Sequence, residues 1–361
     1  MTHPMDRRAW LRAASTAALG CTVWGRQVWA APADAPRTLL VFLRGAYDAS
    51  TLLQPLDGTS RTFYEEARPR LAVPRPDGSA TGALALDSDW ALAPAVQESL
   101  GPLWRSQQLA FVPFAGNDDL SRSHFETQDT VELGLGTGWR GARTGLLNRL
   151  AGELGLPSGP GLEVLGFTDQ LPLILQGPQA ARHASLKTPP RAALDPRQTA
   201  QIERMYAGTP WAAAVRDGFQ TRHEVLREMT GEMAQANRGA VSTSAFETEA
   251  RRIGHLMRER VALGFVDVGG WDTHANQGGA EGVLPSRLAD LARGLAGLAE
   301  AMGPAAWQRC TVVVISEFGR TWRENGTRGT DHGHGTAFWV RSEEHTSELQ
   351  SQSTISYAVF C

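Results

Sequence analysis

The run CTVVVIS, residues 310–316, constrains the fold more than any other stretch of the chain. Five of its seven residues are β-branched, which favours a strand over a helix. It shows no alternation of apolar and polar positions, so both of its faces must be covered. Comparable runs recur as TLLVFLR from residue 38, LAFVPF at 109–114, LEVLGF within 162–176, VALGFVDVGG from 261 and TAFWV at 336–340. Helical patterns such as PRQTAQIERMYAG, SAFETEARRIGHLMRER and PSRLADLARGLAGLAEAMG lie between them. Covered strands alternating with helices predict an α/β domain built on a mostly parallel central sheet.

Ligands of such sheets bind beyond the carboxyl ends of the strands. The chemistry-bearing residues of this chain fall there. Asp48 follows the first strand, and Ser123 and His124 follow LAFVPF. Asp272 and His274 follow VALGFVDVGG, while Glu317 and Arg320 follow CTVVVIS. The loop TDHGHG then brings Asp331, His332 and His334. Mixed carboxylates and imidazoles suit zinc or manganese better than calcium, which prefers oxygen alone. Asp272 and His274, two apart in a glycine-rich loop, can both reach one ion, and His332 and His334 repeat that spacing. The candidates outnumber the four ligands of a single zinc, so a two-metal site is the natural count.

Each group also has a plainer reading. Asp48 alone is a turn residue, Asp272 and His274 a capped turn, and TDHGHG a flexible loop. Glu317 can pair with Arg320 at the surface for little energy, and Ser123 can be a helix N-cap. Their arrival at one sheet edge favours the metal site. His183, His223 and His255 lack acid partners and read as structural or surface residues.

The first 33 residues read as a signal rather than as fold. Arg7 and Arg8 precede Trp10 and Leu11, a short small-apolar run follows, and AAPADA offers cleavage sites. This pattern resembles a twin-arginine export signal, implying the twin-arginine machinery as a partner and a periplasmic or secreted destination. The apolar run is too short to span a bilayer, so no stable membrane span is expected. A net charge of −3 without a basic stripe argues against a nucleic-acid partner. Cys21 lies in the signal and Cys361 at the extreme end, leaving Cys310 without a disulfide partner.

The segments LLVFLRGAYDASTLLQP, SHFETQDTVELG, GGWDTHANQ and VVVISEFGRTWRENGTRGTDHGHG together resemble the exported bacterial family catalogued as domain of unknown function 1501. That family is grouped with the alkaline phosphatase-like superfamily of two-metal phosphatases, sulfatases and phosphomutases. The resemblance covers residues 38–340 and implies an alkaline phosphatase-like three-layer α/β sandwich. Asp48 then matches the first-strand metal aspartate, and Asp272 and His274 the ligands of one metal. Glu317 stands where the superfamily usually has an Asp-His pair, and His332 or His334 supplies the late histidine. Ser123 is the best-placed nucleophile, His124 a ligand or acid/base, and Arg320 a bidentate clamp for a tetrahedral anion. Glu317-Phe318 in place of Asp-His removes a nitrogen ligand, and Tyr47 and Ala49 are larger than the residues often found there, which could narrow the pocket.

The implied reaction is in-line displacement on a phosphate or sulfate ester, small or polymeric, with Ser123 as nucleophile beside a divalent metal. Two other readings stand beside it. One is an exported binding or scaffold protein that keeps the fold without catalysis. The other is a mononuclear iron oxygenase using His274, His332 and one acid. From Ser342 the sequence changes character: SEEHTSELQSQSTISYAVFC lacks Gly, Pro and Arg and resembles a translated sequencing-library adapter. Residues 342–361 are therefore expected to be non-native and the domain C-terminally truncated, with poor solubility as the consequence.

Overall fold

A computed structural model describes residues 35–136, 143–156, 162–185, 196–219 and 245–343. The expected export signal at 1–33 and residues 344–361 of the expected tail lie outside the described residues. In chain order the strands are β1 (Arg37–Arg44), β2 (Leu53–Pro55), β3 (Leu84–Ala85), β4 (Trp90–Leu92), β5 (Leu109–Ala115), β6 (Glu163–Gly166), β7 (Arg182–His183), β8 (Val261–Gly269), β9 (Cys310–Ser316) and β10 (Thr336–Arg341). The helices are α1 (Ala49–Leu52), α2 (Gly58–Ala67), α3 (Gln97–Arg105), α4 (His124–Leu133), α5 (Leu146–Glu153), α6 (Pro196–Tyr206), α7 (Ala245–Glu259) and α8 (Val283–Gln308).

Seven strands form one sheet in the order β5-β10-β9-β1-β8-β6-β7. β1 pairs in parallel with β8 and β9, and β6 in parallel with β7 and β8. β10 alone runs the other way, antiparallel to both β5 and β9. The mostly parallel sheet expected from the apolar runs is therefore present, with one reversed strand. Beyond β6, Leu173–Leu175 form a short 3₁₀ turn. A small sheet, β2-β4-β3, lies outside the main one and had no clear signature in the sequence.

Strand β1 shows why both faces are covered. Leu39, Val41 and Leu43 point to a core that includes Ile253 and Leu256 of α7 and Leu288 and Leu291 of α8. Leu40 and Phe42 point to a second core with Leu147 and Ala151 of α5. Side chains alternate along a strand, so one five-residue apolar run feeds two helical layers. Each fully buried Leu or Phe contributes about 1.5–3 kcal/mol. The rim of the sheet is then free to carry polar groups.

Candidate metal centre

The reversed strand decides where the site forms. β1, β5, β8 and β9 present their carboxyl ends on one edge, and β10 presents its amino end there. The loop entering β10, with Asp331, His332 and His334, is thereby delivered to the residues that follow β5, β8 and β9. Two glycines let these loops close on one another. A Cβ on Gly329 would stand 2.3 Å from the His274 carbonyl carbon, and one on Gly333 2.5 Å from that of Arg320. Arg320 and His332 are joined by an isolated antiparallel bridge at the same point.

His124, Asp272 and His332 each offer one ligand atom, and the three atoms lie within 4.8 Å of one another. His124 Nε2 is 3.0 Å from His332 Nε2, and Asp272 Oδ1 lies 3.8 Å from the first and 3.5 Å from the second. His274 stands at the rim, its Nε2 3.2 Å from His332 Nε2 and 2.9 Å from Asp272 Oδ1. The cluster is open towards solvent at Asp272 and His274, whose side chains are 47% and 44% exposed.

The outer nitrogens explain why the inner ones face each other. His124 Nδ1 lies 2.7 Å from Glu317 Oε1, His274 Nδ1 3.4 Å from Asp331 Oδ1, and His332 Nδ1 3.1 Å from the Arg122 carbonyl oxygen. For His124 and His332 the acceptor at Nδ1 favours the proton there and a lone pair on Nε2, whereas His274 has a carboxylate oxygen at each nitrogen, 3.4 Å from Nδ1 and 2.9 Å from Nε2. The Arg320 guanidinium meets Asp272 Oδ1 and lies 3.4 Å from His274 Nε2, while His124 Nε2 and His332 Nε2 face each other with no donor between them. The donor set fits a divalent metal on chemical grounds, and the carboxylate or carbonyl behind each imidazole is the arrangement that orients metal-bound histidines.

Electrostatics agree with that assignment. Burial, the neighbouring His124 and the Arg320 charge hold the His332 imidazolium below its ordinary range, so the ring is kept neutral. Burial pushes Asp272 upwards, but Arg320 and the histidines outweigh it and keep the carboxyl ionised. Glu317 is likewise opposed by burial and pulled down by hydrogen bonds from Gln128, His124 and Gly45. Its Oε1 accepts from Gln128 Nε2 at 2.9 Å and from Gly45 N at 2.8 Å.

The sequence candidates divide. His124, Asp272, His274 and His332 come together, while Glu317 and Asp331 stand behind His124 and His274. Asp48 does not join them. Its fully buried carboxylate is taken by both Arg68 terminal nitrogens, by Thr51 Oγ1 at 3.0 Å and by Gln277 Nε2 at 2.6 Å. That leaves no lone pair facing the histidines, and Asp48 also caps α1 through Ser50 N. His334 turns away, its Nε2 accepting from Arg122 Nε at 3.1 Å. Arg320 is not free to clamp an anion: with its side chain fully buried, its guanidinium donates to the carbonyls of Gly45, Ala46 and Thr330 and to Asp272 Oδ1. Ser123 occupies the N-cap position of α4, but its hydroxyl makes no capping hydrogen bond.

Other participants carried weaker signals. Gln128 lies one helical turn after His124 and so shares its face, a spacing legible in the sequence. Phe318, in the position where a nitrogen ligand was missed, packs its ring 4.9 Å from that of His124 and 5.1 Å from that of His332. It steadies the two imidazoles instead of binding. Tyr47 does not narrow a pocket; it is fully buried between Trp271 and Trp339, where its hydroxyl donates to the Ala337 carbonyl.

Beside the cluster lies a cavity of about 490 Å³. Its lining includes Arg320 and Arg122, which bond Asp272 and His332, and none of His124, Asp272, His274 and His332 lines it.

A family model described as "Protein of unknown function (DUF1501)" matches residues 35–341. No curated protein and no solved structure matches the chain.

Proposed function

Taking as premise that this chain belongs to the DUF1501 family, we propose that it is an exported hydrolase of anionic esters working with one divalent metal. The observation that carries this reading is the convergence of the three imidazole Nε2 atoms on Asp272 Oδ1, each ring held from behind by an acceptor. His124, Asp272 and His332 would hold the ion, with His274 at its open side. A zinc ion so held supplies Lewis acidity and a water of pKa about 7. The residues of the chain do the positioning. Glu317 and Gln128 fix the His124 ring, Asp331 fixes His274, and Arg320 anchors Asp272 to the loop after β1.

This reading keeps the alkaline phosphatase-like framework implied by the resemblance but reduces its metal pair to one ion. Asp48, the expected first-strand metal aspartate, is committed to Arg68. It also moves nucleophilic work from Ser123 to water, since no hydrogen bond ties the Ser123 hydroxyl to the clustered residues. Export through the twin-arginine machinery to the periplasm rests on Arg7 and Arg8 and the signal-like segment around them.

One observation favours a second reading. His124, His332 and Asp272 make a set of two histidines and one carboxylate, which is also the donor set of mononuclear iron enzymes. Titrating the purified protein with zinc, manganese and ferrous iron separates the two, followed by assay on aryl phosphates, phosphodiesters and sulfates. The proposal expects one tightly held zinc or manganese per chain and hydrolysis lost in His332→Ala. Iron preference without ester hydrolysis favours the second reading, and no bound metal of any kind overturns both.

A further inference from the structure

The cavity beside the cluster is lined by Arg122 and Arg323, and no aspartate or glutamate lines it. Among the described residues Arg122 is bonded through its guanidinium to His334 alone, and the exposed Arg323 is bonded only through its backbone carbonyl, which accepts from Thr321 Oγ1. The same cavity is also lined by Leu53, Trp90 and Phe114, with the Trp90 and Phe114 rings 6.0 Å apart. The backbone is strained where it shapes this wall: Phe114 and Arg122 hold φ of 58° and 51°, a left-handed conformation costly for side chains of this size. A volume of about 490 Å³ lies within the range of small-molecule sites, which combine apolar walls with a few placed charges.

We infer that this cavity is an organic-anion subsite, which takes the acidic end of the substrate between Arg122 and Arg323 and its aromatic or apolar body against Trp90 and Phe114. The inference rests on the metal reading for the place of the scissile bond, which would lie on the cluster side of the cavity, past His332. Two arginines without acid partners can each give a forked hydrogen bond to carboxylate or phosphate. The aromatic wall supplies area that a free inorganic anion cannot use. The substrate class is thus an ester carrying a second, anionic group on an apolar scaffold.

Isothermal titration of benzoate, phenyl phosphate and neutral benzamide into the full chain, with and without zinc, tests this. Both anions are expected to bind the zinc-free protein, and benzamide about tenfold or more weakly. Arg323→Gln, an exposed change that removes no described contact, is expected to weaken both anions about tenfold and leave benzamide unchanged. Arg122→Gln is expected to act in the same direction. Equal binding of benzamide and benzoate overturns the subsite, as does anion affinity unaltered in both variants. If the chain takes no zinc yet still discriminates, the metal reading fails and the subsite stands. If it takes zinc but does not discriminate, the reverse holds.

Discussion

Glu317 and His124 meet across the sheet edge, Oε1 lying 2.7 Å from Nδ1, although 193 residues separate them in sequence. The Glu317 side chain is fully buried, and it orients the histidine without entering the ligand cluster itself. Removing such a partner typically costs 10–100-fold in metal affinity. Glu317→Gln should therefore lower zinc affinity by about 10–100-fold while the fold persists, since the amide still accepts from Gly45. Competitive zinc titration with a chromophoric chelator measures this. An unchanged affinity would show that Glu317 does not set the His124 ring.

Gly329 offers a second handle, because it works through backbone alone. A Cβ there collides with the His274 carbonyl group at 2.3 Å, and neither backbone can yield cheaply. Gly329→Ala should displace His274 and the loop that carries Asp331 and His332, with metal stoichiometry falling below one per chain. Gly326→Ala, in the same loop and with nothing within 4 Å of its added Cβ, is the control and should bind metal normally. Metal content by elemental analysis on the two purified variants decides between them.

Much of this arrangement could be read in advance. The apolar runs at 38–44, 261–269 and 310–316 became adjacent strands, and the polar residues just beyond them became the rim of the site. What the sequence did not reveal was which way each side chain turns. Asp48 and Asp272 both follow a buried strand, yet one meets Arg68 and the other the histidines. The difference depends on a partner 20 residues away on α2's exit, which no local pattern encodes. Arg320 and Glu317 looked like an anion clamp and a ligand; each instead ties the loop after β1 to the cluster, Arg320 bonding Gly45 O and Asp272 and Glu317 bonding Gly45 N and His124. His332 and His334 share one spacing, but the left-handed Arg122 offers its carbonyl to the first and its guanidinium to the second.

Ser123 separates a serine nucleophile from a metal-activated water. Ser123→Ala should leave ester hydrolysis within about threefold of wild type, whereas His332→Ala should abolish it. Stability should change by less than the ~1 kcal/mol usual for a capping serine, because the hydroxyl makes no capping bond. Paired kcat/KM and thermal melting measurements on both variants check this. A loss of activity in Ser123→Ala as deep as in His332→Ala, with metal still bound, returns the serine to the mechanism.

Asp48 should matter to the fold and its pH range, not to metal binding. Burial opposes its charge, but Arg68, Gln277 and Thr51 outweigh burial and hold the carboxyl below the usual aspartate range. A group whose folded pKa is depressed stabilises the protein above its unfolded value, near 3.9. That contribution fades as pH falls through the lower, folded value. Wild-type stability should therefore decline in acid below about pH 4. Asp48→Ala leaves the Arg68 guanidinium buried without its counter-charge and should cost about 3–5 kcal/mol at neutral pH. The variant's stability should also show a shallower decline in acid, because this linkage is gone. Urea unfolding of both proteins between pH 3 and 7, with zinc content measured at pH 7, tests the division of labour. Loss of zinc from a folded Asp48→Ala protein would place Asp48 back among the ligands.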